Sequence, residues 1–441
     1  MRDSGLLKRN ALGAALVLGL VTQELLRVDW RPGLNLLLVA VVGVALLAWL
    51  TRMRFEPASR ESAALVGGAL VCGVFIALRD AEALLAIDLL AAFLLIVLAA
   101  GQGGAAWLRE TGVAGVIQSV VRTGLTVVAG PFGWHGVPGT VTAPAAARRP
   151  MVAAAQGLAL ALPLVLVLGG LLMSADAVFA QVVNETFQLD LEPVLTRVLA
   201  AGALAWVAAG FMRALLVRQP LVPLSLDVTG PRMSVTPVAI ALWTVNLLFI
   251  VFLVIQVRYL FGGAGMVEVT PGLSYAEYAR RGFFELVMVA ALVVPVLLLA
   301  HWAVAPKDGK EERTLRATSF LQVVLLFAIM ASALYRMRLY QAAYGLTELR
   351  LYTTVFMTWI AFLLVWLSMT VVRGRPRGFV FGGVVAGLVC AAGLNLVSPD
   401  ALIARTNVSR AADGLSFDAV HAGSLSADAV PALLRGLPQL P

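Results

Sequence analysis

The sequence predicts an all-α protein: a polytopic transmembrane helix bundle of about 11 helices, with one interfacial amphipathic helix and a short extracytoplasmic C-terminal tail. Three observations predict it. Of the 441 residues, 60% are hydrophobic and only 13% charged, and the mean hydropathy is +0.91. A soluble domain runs at roughly 45–50% apolar and about 25% charged. Apolar stretches long enough to span about 30 Å of hydrocarbon recur along most of the chain. Lys and Arg gather on alternate connections between those stretches, which is how charge sets membrane orientation.

The stretches fall near 8–26, 33–50, 61–78, 84–100, 151–173, 193–216, 236–260, 280–302, 314–336, 349–372 and 378–397. The first follows Arg2, Lys8 and Arg9 and resembles a signal peptide, but no small-x-small cleavage site follows it, so it reads as a retained first helix. Between the fourth and fifth, residues 113–128 place Val113, Val116, Ile117, Val120, Val121 and Val127 at helical spacing, with Gln118, Ser119, Arg122 and Thr123 on the other face. That pattern predicts a helix lying in the interface. The Gly- and Pro-rich run 130–150 reads as a linker. Four regions result: a front group of four helices (1–110), the amphipathic helix and linker (111–150), a seven-helix group (151–397) and the tail (398–441).

Of the 33 basic residues, 30 are Arg. With the basic N-terminus taken as cytoplasmic and 113–128 lying flat, 20 fall on the cytoplasmic side and 12 opposite, while Arg197 sits inside a helix. This places the N-terminus inside and the C-terminus outside. Crossing by 113–128 would invert everything after it. The two cysteines, Cys72 and Cys390, both lie in apolar runs, which excludes a disulfide framework and a cysteine metal site. His135, His301 and His421 are isolated, and no phosphate loop, nucleophile elbow, HExxH or CxxC occurs, so the sequence calls for no cofactor and no metal. Its basic charge is not a lysine-rich arm and points to no nucleic acid.

All seven tyrosines lie in two connections: Tyr259, Tyr275 and Tyr278 before and after one turn, Tyr335, Tyr340, Tyr344 and Tyr352 around another. With them stand Arg258, Arg281, Arg336 and Arg350, on the side where arginine is disfavoured, and Glu285 and Glu348. Two readings stand side by side. One is an aromatic belt, with rings in lipid and arginines snorkelling beside them. The other is an external pocket for an anionic or glycan-bearing ligand, because guanidinium matches phosphate or carboxylate bidentately and tyrosine offers a stacking face with a hydroxyl. Arg336, Tyr340 and Tyr344 follow at i+4 steps, Gly345 suits a helix C-cap and Thr347 can cap the next helix, which makes a tight hairpin. Asp88 and Glu285 are acids within or near apolar stretches, where each needs a partner or water. Gly383 and Gly387 form a GxxxG that predicts close helix packing.

The segments RMRLYQAAYGLTELRLYTTVFMTWI (336–360), SYAEYARRGFFELV (274–287) and SADAVF (174–179) resemble an uncharacterised bacterial membrane family, the domain of unknown function numbered four-one-seven-three with its relative four-one-five-three. PDALIARTNVSR (399–410) and LSADAVPALL (425–434) resemble that group's ending. The tail has Asn407 and Arg410 of that pattern, with Thr406 where it has a tyrosine. The resemblance covers about residues 60–435. It implies a multi-pass inner-membrane protein and brings no catalytic residue.

Three functional classes remain open. A transporter or binding protein would admit an anionic or amphiphilic small molecule, or a lipid-linked glycan, at the hairpins, with acids available for proton coupling. A membrane-embedded transferase would use Glu277 or Glu285 as general base. A sensor or assembly factor would need only the surface.

Overall fold

The computed structural model describes residues 4–28, 32–52, 59–101, 107–134, 191–217, 233–261 and 283–439. The helices are α1 (Ser4–Val28), α2 (Leu34–Thr51), α3 (Arg60–Leu78), α4 (Glu82–Ala100), α5 (Trp107–Glu110), α6 (Val113–Ala129), α7 (Leu191–Leu216), α8 (Val235–Phe261), α9 (Phe283–Ala303), α10 (Gly309–Tyr344), α11 (Glu348–Met369) and α12 (Phe379–Val397), then the tail helices α13 (Pro399–Ala412), α14 (Ala419–Ser424) and α15 (Val430–Gly436). Among the described residues there is no strand, only the isolated bridge Met233–Val304.

The protein is an all-α, multi-pass membrane protein. Among the described residues, ten helices are long and apolar enough to cross a membrane. Nine coincide with stretches read from the sequence, and the tenth is Val113–Phe132. The first predicted stretch forms α1, but Lys8, Arg9, Gln23 and Glu24 dilute its apolar run and it is not one of the ten. The stretch at 151–173 and the linker beyond Trp134 lie outside the described residues. Apolar side chains face outward: Ile240, Leu247, Leu248 and Val254 of α8 are 60–64% exposed. In water such a patch would be an aggregation surface, whereas acyl chains are as apolar as leucine.

Two compact units interleave along the chain. One comprises Met1–Ala77, Ala92–Gly103 and Ser119–Leu224, the other Leu78–Ala91, Gly104–Gln118 and Ser225–Pro441. In the first, Ala11, Ala14 and Ala15 of α1 share a core with Ala209, Met212 and Leu216 of α7. Farther along α1, a Cβ on Gly19 would meet backbone atoms of Ala201 and Ala205 at 2.6–2.7 Å. The two helices therefore run antiparallel, and their small residues let the backbones touch. The indole of Trp134 closes this core by donating to the Ala209 carbonyl at 3.3 Å. In α6, Ser119, Thr123 and Thr126 are buried, and Ser119 donates to the Gly101 carbonyl. Val120, Val121 and Val128 are exposed, so the apolar side of this helix is the outward one.

The second unit is built on α8–α12. At 36 residues, α10 is about 54 Å long and overshoots a hydrocarbon layer of roughly 30 Å. Asp308 starts it as N-cap, accepting from the amides of Lys310 and Glu311 at 2.9 and 2.8 Å. The chain before α8 is bonded to the end of α9, Met233 N donating to Ala303 O at 2.8 Å. Eleven residues into α8, Asn246 Nδ2 donates to Thr318 O at 3.1 Å, so α8 and α10 run parallel. The GxxxG of α12 does mark close packing, and what lands on it is tryptophan from α11. Trp359 Nε1 donates to Gly383 O and Trp366 Nε1 to Gly378 O, each at 3.3 Å.

Candidate functional site

The hairpin between α10 and α11 forms where the sequence places it. Gly345 ends α10 at φ 77°, its amide donating to Gln341 O at 2.9 Å. A Cβ there would meet Asn407 Oδ1 at 2.5 Å, so both backbone and space require glycine. Thr347 takes the N-cap position of α11, but its hydroxyl makes no cap bond. The tail helix α13 clasps the turn instead. Asn407 Oδ1 accepts from Leu346 N at 2.9 Å while its Nδ2 donates to Leu346 O at 2.8 Å. Arg410 donates to Ala342 O and Ala343 O at 2.7 and 3.2 Å, placing a guanidinium on the negative end of α10. Asn407→Ala removes the clasp and is expected to cost about 1–3 kcal/mol of tail docking, seen as faster proteolysis of the 413–418 turn in folded protein.

Several of the predicted residues meet here. Arg350 lies 4.0 Å over the Tyr340 ring and donates to Gly345 O, and Tyr340 stands 5.2 Å from Tyr344. Arg336 is buried in α10, whereas Tyr344 is exposed. Glu348 joins a different group, described next. Glu285 is exposed in the first turn of α9. The side chains of Arg258 and Tyr259, and residues Tyr275, Tyr278, Glu277 and Arg281, lie outside the described residues.

Below the tail is a cluster of acids and an amide. Asp88 is fully buried, and both its oxygens accept from Asn395 Nδ2 at 3.0 Å. Arg79 donates to the Asn395 carbonyl. The tail is sewn to the start of α4: Asp80 N donates to Asp428 Oδ2 at 3.2 Å, and Ala427 N to Asp80 Oδ2 at 3.3 Å. Asp400, fully buried at the first turn of α13, accepts from Ser426 N at 2.9 Å through Oδ2, and its charge acts on the Glu348 carboxyl. The buried Tyr352 hydroxyl lies within electrostatic reach of Asp400, Glu348, Asp88 and Asp428. Ser398, between α12 and α13, is the one described non-glycine residue at positive φ, 54°. Strain of this kind costs on the order of 1–3 kcal/mol and persists where the surroundings enforce it.

A second polar group runs through the middle of the bundle. At one level stand Asn246 of α8, His301 of α9 and Thr318, Ser319 and Gln322 of α10, with His301 Nε2 3.1 Å from Ser319 Oγ. Gln322 is fully buried, and among the described residues neither its Nε2 nor its Oε1 has a hydrogen-bond partner; Asn246 is fully buried, its Oδ1 likewise unpartnered among them. Nearer the tail, Ser332 and Gln256 are buried with unpartnered side-chain atoms, and Arg336 is buried one turn on. Because α8 and α10 are parallel, Gln256 comes about 15 Å past Asn246, level with 328–332. Fully buried Leu326 and nearly buried Ile329 separate the two polar levels. From Thr318 to Arg336 this seam measures about 27 Å at roughly 1.5 Å per residue, close to the thickness of hydrocarbon.

Asn246, Gln256, Gln322 and Asn395 escape a reading that follows only charged residues. Their signal is present all the same: each is a lone amide inside a run of leucine, valine and phenylalanine. In hydrocarbon an unsatisfied amide costs several kcal/mol, nearly as telling as a charge.

A family model described as Domain of unknown function (DUF4153) matches residues 65–436. No curated protein and no solved structure matches the chain.

Proposed function

We propose that this chain, which belongs to the DUF4153 family, is a transporter or transport-linked binding protein that takes a polar, anionic solute along the seam between α8, α9 and α10. One observation carries this reading: among the described residues both amide atoms of Gln322 and the Oδ1 of Asn246 lack a partner, fully buried partway along candidate membrane spans. Such groups cost free energy without return unless water or a solute occupies the space beside them. Arg336 supplies positive charge at the tail end of the seam, suiting a carboxylate, a phosphate or the headgroup of a lipid-linked glycan. The apolar step at Leu326 and Ile329 divides the polar seam into two levels, an arrangement that suits alternating access. The membrane is the bacterial cytoplasmic membrane, with the N-terminus inside and the tail outside. The charge asymmetry supports this orientation, and so does the antiparallel run of α1 and α7, which fits one crossing between α4 and α7 rather than two.

Water access tests the reading. In protein with Cys72 and Cys390 replaced by alanine, Gln322→Cys and Asn246→Cys are expected to react with a small water-soluble methanethiosulfonate. Leu364→Cys, equally buried among apolar side chains, should stay unmodified. If neither seam position reacts while the exposed Arg338→Cys is labelled, the seam is dry and the transport reading fails.

A further inference from the structure

The turn between α11 and α12 carries the run RGRPR, in which Arg373, Arg375 and Arg377 are all exposed. It is closed by its own backbone: Val372 N donates to Leu367 O at 3.0 Å, Gly374 N to Val371 O at 2.9 Å and Arg375 N to Thr370 O at 2.8 Å. Gly374 and Gly378 turn the chain at φ 76° and 81°, and the Trp366 indole fastens the Gly378 carbonyl. Arg316 of α10 braces the turn from the side, donating to the Arg373 carbonyl at 3.1 Å. The acids at the start of α10 are engaged locally. Glu312 pairs with Arg316, Glu311 accepts from Lys307 N at 2.8 Å, and Asp308 caps the helix. Among the described residues the guanidiniums of Arg373, Arg375 and Arg377 have no acidic partner.

Because α11 and α12 are both candidate spans, the short turn joining them lies at the membrane surface, where lipid headgroups are. From it an apolar strip descends the outside of α11: Phe362, Val365 and Met369 share one helix face and are 43–51% exposed. We propose that the turn is a headgroup site for an anionic phospholipid, the phosphate held by Arg373, Arg375 and Arg377 and an acyl chain lying along Phe362, Val365 and Met369. Guanidinium matches phosphate bidentately, and the rigid turn holds the three side chains close together before any lipid arrives. Arg109 of α5 brings a further guanidinium to the start of α12, 4.6 Å over the Phe381 ring, with Glu110 exposed beside it. A soluble anion would use the arginines alone, whereas an amphiphile uses arginines and strip together. A zwitterionic lipid carries its own cation, which the same arginines repel, so the preference is for net negative charge. The site stands apart from the transport reading, since it needs neither water nor solute in the seam.

Native mass spectrometry of the purified full chain in detergent, supplied with equal amounts of dioleoylphosphatidylglycerol and dioleoylphosphatidylcholine, tests this. Wild-type protein should retain phosphatidylglycerol in clear preference. Replacing Arg373→Gln, Arg375→Gln and Arg377→Gln together should abolish the preference, each arginine near the surface being worth about fivefold. The triple variant should fold, because all three side chains are exposed and Arg316 bonds only to the backbone of residue 373; unchanged melting in lipid-free detergent checks that. Lys307→Gln, Lys310→Gln and Arg313→Gln together remove the same charge around the start of α10 and should leave the preference in place. Equal retention of the two lipids by wild-type protein overturns the proposal, as does a preference that survives in the triple arginine variant. An equal loss in the α10 variant would mean diffuse surface charge and no site at the turn. Displacement of the lipid by inorganic phosphate, with the same rise in melting temperature, would make this a site for a free anion and equally overturn it.

Discussion

Asn395→Leu is expected to destabilise the second unit by about 2–3 kcal/mol, read as a lower melting temperature in detergent. Asp88 is fully buried, and the described bonds to both its oxygens come from the single Asn395 nitrogen. Removing that donor leaves a buried carboxyl to meet its desolvation cost alone, which is dearer than the hydrogen bond was worth, by about 1–3 kcal/mol. Leucine keeps the bulk and the helix propensity, and Arg79 keeps its bond because it uses the backbone carbonyl of residue 395. The decisive comparison is the double variant with Asp88→Leu. If the pair is a unit, the double variant should be more stable than the sum of the two single losses predicts, with a coupling of about 1–2 kcal/mol. Strict additivity would mean that Asp88 draws its compensation from elsewhere.

Gln322→Leu should have the opposite sign on stability. Neither amide atom of Gln322 has a partner among the described residues, and the side chain is fully buried, so leucine of similar bulk removes a desolvation cost and no described bond. Melting should rise, by about 1–2 kcal/mol of unfolding free energy. Access of methanethiosulfonate to Asn246→Cys, one neighbouring position of the seam, should fall at the same time by about tenfold. A residue that costs stability where it stands is the expected mark of a working site. A large loss of stability instead would show that Gln322 is a structural partner and that the seam has no occupant.

Much of the hairpin was legible in the sequence, and for local reasons. Gly345 after an i+4 series of Arg336, Tyr340 and Tyr344 announces a helix end, and positive φ with a tight neighbour is what is found. The tyrosine pair on one helix face is there at 5.2 Å. Thr347 holds the cap position without the cap bond, because propensity ranks a residue type and not the rotamer that neighbours allow. Arg350 reads from the charge count as a guanidinium on the disfavoured side; in the fold it secures the hairpin's own Gly345 carbonyl and an aromatic face. That use depends on where the chain returns, which periodicity does not encode.

By itself the sequence determined the all-helical class, the positions of most spans, the hairpin and the family, because apolar length, glycine geometry and basic flanks act within one or two turns of the residue concerned. Only the tertiary structure decided which acids and amides answer one another. Asn395 meets Asp88 from 307 positions away, Asp428 of the tail accepts from the Asp80 amide, and Asn246 comes beside Thr318 across parallel helices. In hydrocarbon every backbone bond is closed inside its own helix, so local pattern suffices to fix each span. A polar side chain has no such internal partner, and its role is set by whatever the packing of other helices brings within 3 Å.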